Sequence, residues 1–164
     1  MDLKTIEALF AEHGITRIKV GGFDIDGVLR GKYISREKFA SAVETGLGFC
    51  DVIFGWDSSD VLYDNVQVTG WHTGYPDAFA RLDLSTFRLI PWEPGTAFFL
   101  LDFYEASGKP LAVSPRQLLK NVVDKAHQMG FHPVASAEFE FFLFKEDPHS
   151  IRDKSYKGLR SLSP

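Results

Sequence analysis

Glu138 and Glu140 stand one residue apart in an apolar run, Ala137-Glu138-Phe139-Glu140-Phe141-Phe142-Leu143-Phe144. In a strand, side chains alternate, so both carboxylates would share one face and Phe139 and Phe141 the other. Two carboxylates buried together cost free energy unless a positive charge meets them. A divalent cation answers that need, because hard ions such as Mg²⁺ and Mn²⁺ choose carboxylate oxygens. The same alternation also describes an ordinary half-buried strand with a solvated acidic edge and Phe139 and Phe141 in the core. Spacing by itself favours the solvated edge, so the surrounding sequence has to decide.

Other residues with chemical capacity read more plainly. Asp24 and Asp26 repeat the one-apart spacing, but they flank Gly27, and turn chemistry explains them without metal. Trp56-Asp57-Ser58-Ser59 contains a carboxylate that suits an Asx-type turn. His72 in a polar loop and His127 on a helix read as surface residues, and His132 before Pro133 as structural. Arg30 and Lys32 read as solvated strand charges. Cys50 has no neighbouring base that would mark a nucleophile.

The elements that must position these residues follow from periodicity and punctuation. Leu3, Ile6, Leu9 and Phe10 predict a helix over 3–12, stopped by Gly14. Residues 16–26 and 28–35 predict a hairpin about Asp26-Gly27. Ser35 caps a short helix to Glu44, ended by Gly46 and Gly48. Residues 50–56 read as a strand, 57–83 as a long loop or loosely paired hairpin, and Phe87–Trp92 and Thr96–Tyr104 as two further strands. Ser114-Pro115-Arg116 opens the clearest helix, with Leu118, Leu119, Val122, Val123 and Ala126 as its buried stripe and Gly130 as its stop. The acidic strand follows it. Together these predict an α+β fold, with one small domain over 1–110 and the opening of a second over 111–164.

Composition bounds the function. The chain has 164 residues, 45% of them hydrophobic, and fifteen Phe, enough for a packed core. A formal net charge of -4 without a basic run argues against nucleic-acid binding. A single cysteine excludes an internal disulfide and a Cys-based zinc site. It fits a reducing cytoplasm, and no signal core or membrane-length apolar run is read.

Residues 114–144 closely resemble the glutamine synthetase family: Pro115-Arg116 opening an amphipathic helix, then Glu138-Phe139-Glu140-Phe141-Phe142-Leu143-Phe144. Upstream, Phe23-Asp24-Ile25-Asp26-Gly27-Val28-Leu29-Arg30-Gly31-Lys32 looks like the opening hairpin of that family's β-grasp domain. Leu82-Asp83-Leu84-Ser85-Thr86 and Ile90-Pro91-Trp92 resemble its later strands. Thr69-Gly70-Trp71-His72-Thr73-Gly74-Tyr75-Pro76-Asp77 is more like members that join glutamate to amines or polyamines. The resemblance implies a β-grasp-like N-terminal domain, then the first helix and strand of the catalytic domain. It implies a cytoplasmic, ring-type homo-oligomeric ligase that uses ATP and Mg²⁺ or Mn²⁺. Such an enzyme joins ammonia or an amine to the γ-carboxylate of glutamate through γ-glutamyl phosphate. By residue match, Glu138 and Glu140 would ligate two different metal ions. Asp57 is the nearest counterpart of a family aspartate that deprotonates ammonium in a neighbouring subunit's site. This sequence lacks the glycine that follows that aspartate in the family, and the Asx-turn reading of Asp57 stays open beside the catalytic one. The family's remaining metal, nucleotide and phosphate residues have no counterparts in these 164 residues. The stretch alone is therefore expected to be inactive, as the N-terminal region of a longer enzyme. The alternative is a non-catalytic β-grasp module for assembly or binding, with a vestigial metal strand.

Overall fold

A computed structural model describes residues 1–162. The chain forms two compact units, Met1–Phe131 and the segment from His132 on. The first is an α+β unit. Helix α1 (Leu3–Glu12) starts at Asp2, whose side chain accepts the Thr5 N–H, and buries Ile6 and Phe10. Strands β1 (Arg17–Phe23) and β2 (Leu29–Ile34) form the expected antiparallel hairpin. Helix α2 (Arg36–Thr45) is capped by the Ser35 hydroxyl, which accepts the Lys38 N–H, and it stops at Gly46 with φ +74°. A Cβ at Gly46 would lie 2.4 Å from the Phe79 ring, so close packing as well as the backbone requires glycine there.

Strand β3 (Leu47–Cys50), strand β4 (Asp77–Leu89) and strand β5 (Thr96–Tyr104) complete a five-stranded sheet of order β2-β1-β5-β4-β3. The central pair β1 and β5 is parallel and every other pairing is antiparallel. In β5 the odd-numbered positions Ala97, Phe99, Leu101 and Phe103 are all buried. Phe99 meets Phe10 of α1 at 6.2 Å and Phe39 of α2 at 4.9 Å between ring centroids, so both helices cover this face. The β4 register shifts between Asp83 and Arg88, and there the Thr86 hydroxyl accepts the Leu100 N–H, keeping that donor satisfied.

Two element predictions for this unit need correction. Residues 50–56 do not make a strand: the strand ends at Cys50, and Asp51–Phe54 turn as a 3₁₀ helix. A strand would send Ile53 and Phe54 to opposite faces; the turn buries both, and Phe54 packs edge-on against Phe103 at 5.2 Å. The polar stretch read as loop to residue 83 becomes ordered sooner, because Asp77–Asp83 already belong to β4 and pair with β3 and β5.

The last helix of this unit, α3 (Pro115–Gln128), begins where predicted, with Pro115 in its first turn, although the Ser114 side chain makes no capping hydrogen bond. Its predicted buried stripe is not buried. Leu118, Leu119 and Val122 are 61%, 62% and 57% exposed, and Val123 and Ala126 are half-buried. Amphipathic spacing makes a face able to be buried, but only an apposed surface buries it.

The second unit likewise departs from expectation. No strand forms over 132–142; Glu138 and Glu140 lie in irregular backbone, exposed, with Phe139 84% and Phe142 88% accessible. β-propensity expresses itself through pairing and burial, and this run has neither. Pairing starts only at Leu143–Lys145, which bond to Arg160 and Leu162. Between them lies the short helix α4 (Pro148–Asp153), opened by a reciprocal capping box of Asp147 and Ser150.

Candidate functional site

The β1–β2 turn is built on a fully buried carboxylate. Asp24 Oδ1 accepts the N–H groups of Asp26 and Val28, and Oδ2 accepts Arg30 Nε at 2.7 Å. Turn chemistry thus accounts for Asp24, as the Gly27 signal implied. Arg30 is not a solvated strand charge. It pairs with Asp24 and with Asp60 at 2.6 Å, stacks over Trp56 and donates to the Asp57 carbonyl. One guanidinium therefore ties the hairpin to the loop that carries Asp57. Lys32 is engaged too, donating to the Gly48 carbonyl and lying over Phe49.

Asp57 is in an Asx-type turn. Its Oδ1 accepts the N–H groups of Ser59 and Val61, and its own N–H bonds to the Val61 carbonyl. Among the described residues, its second carboxylate oxygen accepts no hydrogen bond. Beyond this turn, residues between 62 and 75, among them Tyr63, Asp64, Trp71, His72 and Tyr75, line a cavity of about 260 Å³. Thr69 anchors the loop from within, its buried hydroxyl donating to Asp51 at 2.6 Å. His72 is exposed, with a ring nitrogen 3.1 Å from the Gln67 carbonyl. The Cys50 thiol donates to the Tyr75 carbonyl.

On the second face of the sheet, four charges fix the start of α3. Arg116 bonds to Asp102 of β5 and to Asp83 of β4 at 2.7 Å, and Lys120 bonds to Asp102 at 2.5 Å. Burial pushes the Asp83 carboxyl up, but bonds from Ser85 and Arg116 outweigh it and hold the group at about 2. Sequence reading missed this cluster. The available signal was Asp102 itself, a lone carboxylate inside the apolar strand Thr96–Tyr104, which requires a counter-charge.

Glu138 and Glu140 belong to the second unit and Asp57 to the first. Two adjacent carboxylates have the donor chemistry for a hard divalent ion, which takes about six oxygen ligands. Among the described residues, no three His, Cys, Asp or Glu side chains gather to hold a metal. The pair therefore fits a metal only as part of a ligand set. Glu146 is an organised carboxylate of this unit, beside the capping Asp147. Bonds from Lys154, Ser150 and the Arg160 N–H hold it at about 2.

A sheet with a parallel central pair, helices over one face and a charge-anchored helix on the other defines an α+β unit of known type. A solved GmaS–ADP complex shares this fold, with a TM-score of 0.57 at 23% identity over 78% of this chain and 26% of that one. The model of the glutamine synthetase catalytic domain matches residues 112–163, which include Glu138 and Glu140. A type-1 glutamine synthetase of Dictyostelium discoideum is 53% identical over 89% of this chain and 28% of its own length. A glutamate–isopropylamine ligase of a Pseudomonas species is 42% identical over 93% of this chain and 33% of its own length. The chain is similar to glutamine synthetases and to amine ligases, and spans roughly a third of the length of these relatives.

Proposed function

We propose that these residues are the N-terminal region of an ATP- and Mg²⁺- or Mn²⁺-dependent ligase joining ammonia or an amine to the γ-carboxylate of glutamate through γ-glutamyl phosphate. The observation that carries this reading is the 53% identity to a glutamine synthetase over 89% of the chain. The match of the catalytic-domain model from residue 112 supports a boundary near 110. Residues 1–110 are then a β-grasp-like domain, whose parallel central pair flanked by hairpins suits that description, and 111–164 open the catalytic domain. Bound divalent ions would neutralise phosphate charge during transfer. Glu138 and Glu140 would supply carboxylate ligands to them. Asp57 would accept a proton from the incoming ammonium, in the site of a neighbouring subunit of a cytoplasmic ring-type homo-oligomer. Among the described residues, no helix is long and apolar enough to cross a membrane.

The test is ATP-dependent γ-glutamyl transfer by a protein of the relatives' length that contains these residues, assayed with ammonia, isopropylamine, putrescine and an aromatic amine. The expected result is turnover with at least one acceptor, abolished by Glu138→Gln or Glu140→Gln. The 164-residue chain alone is expected to turn over none. Full activity in both variants would remove the metal role, and no activity with any acceptor would favour an assembly or binding module.

A further inference from the structure

The cavity inside the loop of residues 62–75 has a composition of its own. Tyr63, Trp71 and Tyr75 are among its lining residues, and Trp71 and Tyr75 meet edge to face at 5.4 Å. Asp64 is the carboxylate of the lining, which contains no Lys or Arg. Asp64 makes no hydrogen bond or ion pair among the described residues, so its charge is unneutralised from within. Asp26 lies nearby, accepting the Tyr63 hydroxyl at 3.4 Å. Aromatic faces and an uncompensated carboxylate attract organic cations and repel anions.

The walls are also held in place. Tyr75 has φ +49°, a left-handed conformation costly for an aromatic residue. Bonds to its carbonyl from Cys50 and to the next carbonyl, that of Pro76, from the Asp51 N–H maintain it. The Tyr63 N–H bonds back to the Gly55 carbonyl, and Thr69 is tied to Asp51. These bonds fix the backbone that carries Tyr63 and Tyr75 and the Thr69 side chain between them.

We propose that this cavity is a recognition site for a small organic ammonium ion, with Asp64 as its counter-charge and Tyr63, Trp71 and Tyr75 as its aromatic walls. Its use in selecting an acceptor amine rests on the ligase reading; the binding itself does not.

The experiment titrates the 164-residue chain with butylammonium chloride, following the Trp71 indole N–H resonance by NMR. The shift is expected to saturate with butylammonium, while sodium butyrate, 1-butanol and sodium chloride at equal ionic strength leave it unmoved. By calorimetry, Trp71→Ala and Asp64→Asn should each weaken binding about tenfold, and Trp92→Ala should leave it unchanged. Trp71 is 84% exposed and Asp64 lies on the surface, so unchanged circular dichroism is expected for both variants. No saturable shift, an equal response to butyrate or butanol, or unaltered affinity in both variants would overturn the proposal. Ammonium binding without γ-glutamyl transfer in the longer protein would remove the ligase reading alone. Transfer without binding at Trp71 would remove this site alone.

Discussion

At the scale of single residues, Arg30 joins the β1–β2 hairpin to the loop that carries Asp57 and Asp60. Its partner Asp24 is fully buried, and a buried carboxylate stripped of its cation is far more costly than the pair is stabilising. Arg30→Met is expected to destabilise the chain by about 3 kcal/mol in urea unfolding, more than a surface charge deletion would. Asp83 supplies a pH signature. Its carboxyl is held at about 2 in the folded state, below an ordinary aspartate near 3.9, so it stabilises fully above pH ~4. That contribution, on the order of 2 kcal/mol, is lost as pH falls through about 2. Unfolding followed from pH 5 to 2 should show a steeper loss in the parent than in Asp83→Asn.

At the scale of elements, α1 and α2 are held by aromatic contacts, whereas α3 is held by charge. Phe39 is fully buried between Phe10 and Phe99. Phe39→Ala should therefore cost about 4 kcal/mol, measured as a lower midpoint in urea. Leu118 on α3 is mostly exposed, and Leu118→Gln should change stability by less than about 0.5 kcal/mol. Arg116→Ala should instead destabilise more than Leu118→Gln, because it leaves Asp102 buried with Lys120 as its one remaining cation among the described residues. The opposite ranking would show that α3 is apolar-docked after all.

At the scale of the whole molecule, both units expose apolar surface. Leu118, Leu119 and Val122 form an open stripe in the first, and Phe139, Phe141 and Phe142 an open segment in the second. Exposed patches of this kind bind apolar probes. The folded 164-residue chain should enhance the fluorescence of a hydrophobic dye at neutral pH, and replacing Leu118, Leu119 and Val122 by Gln should reduce the signal without lowering the unfolding midpoint.

The sequence by itself determined the features that rest on neighbouring residues. Asp2 and Ser35 name helix starts, Asp26-Gly27 a turn, and Gly46 a helix stop, because caps and turns are satisfied within a few residues. The resemblance to glutamine synthetases was legible for the same reason, since Pro115-Arg116 and Glu138-Phe139-Glu140 are local text. Tertiary structure decided what needs a distant partner. It joined Arg30 to Asp24 and Asp60, set Arg116 against Asp83 and Asp102, and turned Asp51–Phe54 inward to meet Phe103. It also decided which apolar faces stay open. The α3 stripe and the Glu138–Glu140 run have the periodicity of buried elements, but burial and strand pairing belong to the surface opposite, and no residue encodes that alone.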